Sequence, residues 1–268
     1  MRKIVLLLLL SFGVAFGLSA QTLVQGKIAN ISTNALKVAM VEFWSVDHWQ
    51  QLAILQLEAE GAFSAKVSAP AQAQCRIRMA SQNKSWCDFV ITTGPKADSV
   101  LVFDLDNQTM NGGPAKVSGS AENDLYFALM NAYQHLNRLQ DSTMKTPPAQ
   151  VQEAVRNFNK LCKEMTQQHP GTYTGDIVAN LLYQPSKEDY PKDPKIAAMT
   201  ANAFVIEHAL EKIPFRYDKV LYHNAFAKAL NRYYNFFDIA SAEGSKTCID
   251  GIMARRAGSE AGDIFVFK

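Results

Sequence analysis

The chain has 268 residues, of which 48% are hydrophobic, and its 27 basic and 25 acidic side chains give a formal net charge of +2. This length exceeds that of an ordinary single domain, and the hydrophobic fraction supports packed cores, so the sequence predicts two structural units. The near balance of charge, without a cluster of Lys and Arg, argues against a nucleic-acid partner, which would need a concentrated basic surface.

Residues 1–20 have the pattern of a secretory signal peptide. Arg2 and Lys3 precede an apolar run that ends at Leu18, and small residues follow. We predict cleavage after Ala20, although Leu18 is bulkier than the residue usual at its place. The run is shorter than the roughly 20 apolar residues of a spanning helix, which favours a cleaved signal over an uncleaved anchor. We therefore expect a periplasmic or secreted protein, without stable membrane insertion after cleavage.

The segment 21–119 contains short runs of alternating apolar and polar residues, separated by turn signals. The clearest run ends at Val67, with Phe63, Ala65 and Val67 on one face. Seven or eight strands at this spacing are typical of an antiparallel β-sandwich. The predicted strands cover residues 23–28, 36–44, 51–57, 61–67, 75–80, 87–91, 100–105 and 115–119.

The segment 120–268 has the three- and four-residue spacing of helices. Leu125, Leu129 and Leu136 lie on one face of a first helix, and the loop 140–148 predicts a hairpin with a second helix. Ser120 is expected to cap the first helix. The fold class predicted is therefore α+β, with an N-terminal antiparallel β-sandwich followed by an all-helical bundle. Further helices are predicted over residues 173–182, 196–212, 219–239 and 244–256.

Three short segments carry a resemblance to a known family: VQGKI at residues 24–28, EGAF at 60–63 and VSGSAEN at 117–123. With the export signal, their order resembles the N-terminal region of exported thioredoxin-like thiol-disulfide oxidoreductases of Gram-negative bacteria. In that family, a β-sandwich domain of unknown function and a helical segment precede the thioredoxin domain. Residues 215–254 are similar to the helical segment.

The resemblance does not extend to the redox site of that family, which is a Trp-Cys-x-x-Cys motif. Trp86 and Cys87 supply the first pair, but Val90 stands where the second cysteine belongs. No catalytic residue is carried over, and no cofactor or metal is expected. The resemblance implies a non-catalytic exported module that binds a partner or positions a domain. Its expected partner is a thioredoxin-like domain or another periplasmic protein.

The cysteines follow no Cys-x-x-Cys spacing, and they are Cys75, Cys87, Cys162 and Cys248. In the predicted strands, Cys75 and Cys87 both face the core, and the register between the strands decides whether they meet. A turn centred on Ser81 places them opposite each other, whereas a turn centred on Asn83 places Cys87 opposite Met79. A disulfide between Cys75 and Cys87 is one candidate, and two buried thiols are the other.

Four aromatic residues remain as a candidate contact surface. Trp44 and Trp49 fall at the end of a predicted strand and in the loop after it, and Tyr234 and Phe236 lie on a helix whose other aromatics face the core. Core packing between the two units is the plainer interpretation. The alternative function is a periplasmic or secreted binding protein for a peptide or carbohydrate, using Trp44 and Trp49. The apolar cluster at 264–267 is expected to dock on something, either in this chain or in a further domain.

Overall fold

The computed structural model describes residues 21–32, 36–69, 72–80, 85–92, 98–238 and 240–255. The predicted α+β class is confirmed: the described residues form two mixed β-sheets with nine strands, and seven α-helices. None of these helices combines the length and apolar character needed to cross a bilayer. The predicted signal peptide and the apolar cluster at 264–267 lie outside the described residues.

The strands divide between two sheets. The first sheet has the order β4-β1-β7-β9, and the second has the order β3-β2-β5-β6-β8. The strands are β1 (Thr22–Ala29), β2 (Val38–Ser45), β3 (His48–Gln56), β4 (Ala62–Val67), β5 (Ala73–Met79), β6 (Trp86–Ile91), β7 (Val100–Asp106), β8 (Gly113–Pro114) and β9 (Val117–Ser118).

Both sheets are mixed, rather than wholly antiparallel as predicted. β1 pairs antiparallel with β4 and parallel with β7, and β6 pairs parallel with β8. β7 returns to the first sheet after the chain has passed through the second, and it runs in the direction of β1. Gly26 fits this pairing because its φ is +154° and a Cβ there would overlap the carbonyl oxygen of Phe103 on β7.

Alternate residues of the strands form one hydrophobic core that both sheets share. Phe103 on β7 packs its ring edge-on against Phe89 on β6, with ring centroids 5.0 Å apart. Other fully buried members are Val24, Val41, Cys75, Ile77 and Leu101. The two-residue period of the strands therefore correctly identified residues that face the core, such as Phe63, Val67 and Cys75.

The helices follow the last strand. α1 and α2 pack against each other across a short connection, and the Oγ of Ser120 caps α1 by accepting a hydrogen bond from Asn123 N at 3.1 Å. The helices are α1 (Ala121–Gln140), α2 (Pro148–Gln168), α3 (Ala179–Leu182), α4 (Pro194–Ala198), α5 (Ala201–His208), α6 (Asn224–Tyr234) and α7 (Ala242–Arg255). A π-helix covers Thr174–Val178, and 3₁₀ turns cover Ser142–Met144, Lys187–Asp189 and Asp218–Tyr222.

Two of the predicted helices are shorter than expected because polar side chains interrupt them. The predicted helix 196–212 is divided into α4 and α5, since Thr200 caps α5 by accepting from Ala203 N at 3.2 Å. The predicted helix 219–239 begins as a 3₁₀ turn. His223 then starts α6, with its Nδ1 accepting from Ala225 N at 3.1 Å.

The helices cover part of the outer face of the second sheet. Val90 on β6 belongs to the helical hydrophobic core, and Tyr222 packs against the core of the sheets. Val46 N donates to Leu221 O at 2.9 Å, which also joins the end of β2 to the 3₁₀ turn. Sheet and helices therefore meet in a continuous interface.

Candidate functional site

The four cysteines are buried and free. Cys75 lies opposite Phe89 and Cys87 lies opposite Ile77. This register matches neither of the two predicted alternatives and lies midway between them. Burial raises the pKa of Cys75 and of Cys87, and it raises the pKa of Cys162 to about 12. Because the thiolate is the reactive form of cysteine, such thiols are poor nucleophiles at neutral pH.

The predicted aromatic contact residues have two different sets of neighbours. Trp44 and Trp49 face each other on β2 and β3, in edge contact with ring centroids 5.4 Å apart. The guanidinium of Arg76 lies 4.2 Å from the centroid of Trp49. Tyr234 packs on the helical core, whereas Phe236 is 37% exposed in the wall of a helical cavity.

An ion-pair group that sequence inspection missed accompanies Trp49 on the outer face of the second sheet. Glu42 accepts hydrogen bonds from Arg76 Nε at 2.6 Å and from Arg78 Nη2 at 3.0 Å. Burial opposes ionisation of Glu42, but the bonds from Arg78 and Arg76 outweigh it and lower the pKa of Glu42. Arg76 and Arg78 alternate with core residues on β5, which was the signal available in the sequence.

A concave site lies in the helical region, where a π-helix leads into α3. In the π-helix, Ala179 N donates to Thr174 O, five residues earlier. Gly175 approaches α2 so closely that a Cβ would overlap its backbone, and the Gly175 carbonyl accepts from Thr166 Oγ1 at 3.1 Å. This wide turn places Asp176 and Asn180 in the wall of a cavity of about 420 Å³. We call this cavity the helical cleft.

Charges of both signs surround the helical cleft. Lys212, Arg216 and Arg255 supply positive charge, and Asp176 and Glu211 supply negative charge. Burial raises the pKa of Glu211, but hydrogen bonds from Tyr190 and His208 outweigh it and hold the pKa below its usual value. These contacts also fix the Glu211 side chain in one orientation.

Two smaller cavities share the lining residue Asn180 with the helical cleft. One, of about 220 Å³, continues over apolar side chains that include Val205, Ala229 and Phe236. The other, of about 180 Å³, lies beside Cys162 and Lys163. Charged side chains line the helical cleft and apolar side chains line the neighbouring cavity, a combination that suits a ligand with both charged and apolar groups.

Charged and polar side chains make up much of the lining of the helical cleft. Its principal cavity has no cysteine in its lining, and no group of three or more metal-ligating side chains occurs among the described residues. Sequence reasoning missed the cleft because Asp176, Arg216 and Arg255 lie far apart along the chain. No protein-family model, curated protein or solved structure matches this chain.

Proposed function

We propose that this chain is a non-catalytic exported module that binds a partner or positions a thioredoxin-like domain. The burial of the thiols carries this proposal. None of the four cysteines is more than 5% exposed, and burial raises the pKa of each. A dithiol catalyst needs an accessible thiolate with a lowered pKa, which is the opposite environment.

The proposal includes a β-sandwich joined to a helical bundle, in a protein of the periplasm or the extracellular space. The hydrophobic core shared by the two sheets and the second core within the helices support this organisation. The segments VQGKI and VSGSAEN, which carry the resemblance, each contain a residue with a role in the fold. Gly26 allows β1 to approach β7, and Ser120 caps α1.

The outer face of the second sheet is the surface that we propose for the partner, a thioredoxin-like domain or another periplasmic protein. Trp49, Trp86 and Arg76 lie together there, with Arg76 over both rings. Tryptophan and arginine are the side chains enriched at the energetic centres of protein interfaces. Their contacts with one another hold them in place before a partner arrives.

Thiol titration with an aromatic disulfide reagent tests the non-catalytic assignment. The native chain should react slowly and should show no turnover in an insulin-reduction assay, whereas the urea-unfolded chain should expose all four thiols. Rapid reaction of a native thiol, or turnover of insulin, would contradict the assignment. The unfolded chain serves as the control for reagent and cysteine content.

Calorimetric titration with a purified periplasmic thioredoxin-like domain tests the partner surface. Trp49→Ala should abolish the heat of binding. Val102→Ala is the matched control, because Val102 is an exposed apolar residue on a strand of the first sheet. Equal binding by both variants would show that the outer sheet face is not the partner surface. Absence of binding by the wild-type chain would show that a thioredoxin-like domain is not the partner.

A second candidate function is the binding of a peptide, and the helical cleft favours it. A short peptide carries an ammonium, a carboxylate and apolar side chains, which match the mixed charges and the apolar extension of the cleft. The carbohydrate alternative through Trp44 and Trp49 has less support, because these rings contact each other and Arg76 covers Trp49.

Titration with a mixture of short peptides tests this candidate. Binding is followed by the chemical-shift changes of the backbone amide resonances. Peptides should perturb residues around Asn180, and Arg216→Ala should weaken the effect. Lys192→Ala is a control with a basic residue in an exposed loop outside the cleft lining. Perturbation of the tryptophan region by sugars, with none at the cleft, would favour the carbohydrate alternative.

A further inference from the structure

A group of buried polar side chains lies where the helices cover the second sheet, and the proposed function makes no use of it. Asp88 on β6 is 7% exposed, and the other three residues are completely buried: Gln74 on β5, Tyr126 on α1 and His223 before α6. We call these four residues the interface polar cluster. Polar groups buried to this extent in native proteins almost always have hydrogen-bond partners.

Part of the cluster is satisfied by direct hydrogen bonds. Gln74 Nε2 donates to Asp88 Oδ2 at 3.0 Å, and Gln74 Oε1 accepts from Asn224 N at 3.0 Å. The rings of Tyr126 and His223 meet edge-on with centroids 6.0 Å apart, and Gln74 lies near the Tyr126 hydroxyl. These contacts connect the four residues into one group that spans sheet and helices.

Three polar atoms of the cluster have no hydrogen-bond partner among the described residues: Asp88 Oδ1, Tyr126 OH and His223 Nε2. Their chemistry is complementary. His223 Nδ1 accepts from Ala225 N, so in the neutral ring the proton is assigned to Nε2, which is a donor. Asp88 Oδ1 accepts when the carboxyl group is ionised and can donate when it is protonated, and the Tyr126 hydroxyl can both donate and accept.

We propose that the interface polar cluster is a binding site for ordered water, in which one or two molecules join His223 Nε2, Tyr126 OH and Asp88 Oδ1. A buried water usually makes about three hydrogen bonds to groups that would otherwise be unpaired, and these three atoms supply that number. The proposal goes beyond the binding function of the chain and concerns how the sheet and helices are held together.

The charge state of the surrounding groups agrees with a neutral ligand. Burial lowers the pKa of His223 to about 3, with a further contribution from Lys228, so the ring is neutral at ordinary pH. Burial raises the pKa of Asp88 to about 7, against the effects of Gln74, Arg76 and Lys228. Below pH 7, a neutral imidazole beside a protonated carboxyl group leaves no net charge on these two groups to attract an ion.

The sign of one stability change tests the proposal. If water links the three atoms, Tyr126→Phe deprives it of a partner and the urea midpoint of unfolding falls. If the site is dry, the same change removes an unpaired buried hydroxyl and the midpoint stays the same or rises. Tyr217→Phe is the matched control, since that tyrosine is 36% exposed, and its midpoint should equal that of the wild type.

A crystal structure of the wild-type chain decides the matter independently of any variant. We expect ordered water density within about 3 Å of at least two of the three atoms. A site without such density, or side chains that hydrogen-bond directly to one another, would overturn the proposal. This measurement also covers the case in which Tyr126→Phe does not fold.

Discussion

Asn123 on α1 completes the hydrogen bonding of Val90 at the edge of β6. Its Oδ1 accepts from Val90 N at 2.8 Å and its Nδ2 donates to Val90 O at 2.9 Å. Both residues are fully buried. The side-chain amide thus takes the place that a neighbouring strand would occupy, and it ties the first helix to the second sheet.

Replacement of Asn123 by Ala should therefore destabilise the fold strongly. The change leaves the Val90 N–H and C=O buried without partners, and we expect a loss of about 2 to 4 kcal/mol in the free energy of unfolding. Urea unfolding followed by circular dichroism measures it. Asn131→Ala, at an exposed position of the same helix, is the control and should cost less than about 0.5 kcal/mol.

Asp88 should make the protein less stable as the pH rises. Its pKa is about 7 in the folded chain against an ordinary value of 3.8, so between these values the folded state binds more protons than the unfolded state. The free energy of unfolding of the wild type, minus that of Asp88→Asn, should fall between about pH 4 and pH 7 and then level off. A difference that stays level over this interval would show that Asp88 is already ionised in the folded state.

His223 should act in the opposite direction. Its pKa is about 3 when folded against an ordinary value of 6.5, so the unfolded state binds more protons between these values. Its contribution to stability is present above pH 6.5 and is lost as the pH falls towards 3. His223→Asn keeps a capping side chain for α6 and should lessen this acid sensitivity. An unchanged pH profile of unfolding would contradict the buried neutral ring.

Glu42 should stabilise the outer face of the second sheet. Glu42→Ala leaves Arg76 and Arg78 without their carboxylate, and we expect a loss of about 1.5 to 3 kcal/mol in urea unfolding at pH 7. The tryptophan emission should also shift, because Arg76 lies over Trp49. Glu58→Ala, at an exposed position, should change neither measurement.

The sequence predicted best the features that depend on near neighbours. The two-residue period identified strands such as β4, and the helical spacing identified α1, because burial of one face imposes each pattern locally. It did not predict the parallel pairing of β1 with β7, which joins segments more than 70 residues apart. The helical spacing also continued across Thr200 and His223, where single capping side chains begin a new helix.

The candidate site was less predictable than the fold. The register between Cys75 and Cys87 depended on where one turn is centred, and the structure has neither of the two arrangements considered. The helical cleft combines Asp176, Arg216 and Arg255 from three separate segments. The spacing of these residues along the chain does not predict that they meet, since tertiary packing alone brings them together.

The π-helix at Thr174–Val178 also bears on how the cleft arose. A π-turn contains one residue more than the α-helical turn it replaces, so loss of a single codon there would restore a regular helix. The residues beyond the deletion would keep their orientation relative to α2, because the extra residue is taken up within the turn, whereas the side chains of the turn itself would move. Asp176 would then leave the wall that it shares with Asn180, with no substitution at either position. The lining of the cleft is therefore inherited through the length of this segment as much as through its side chains.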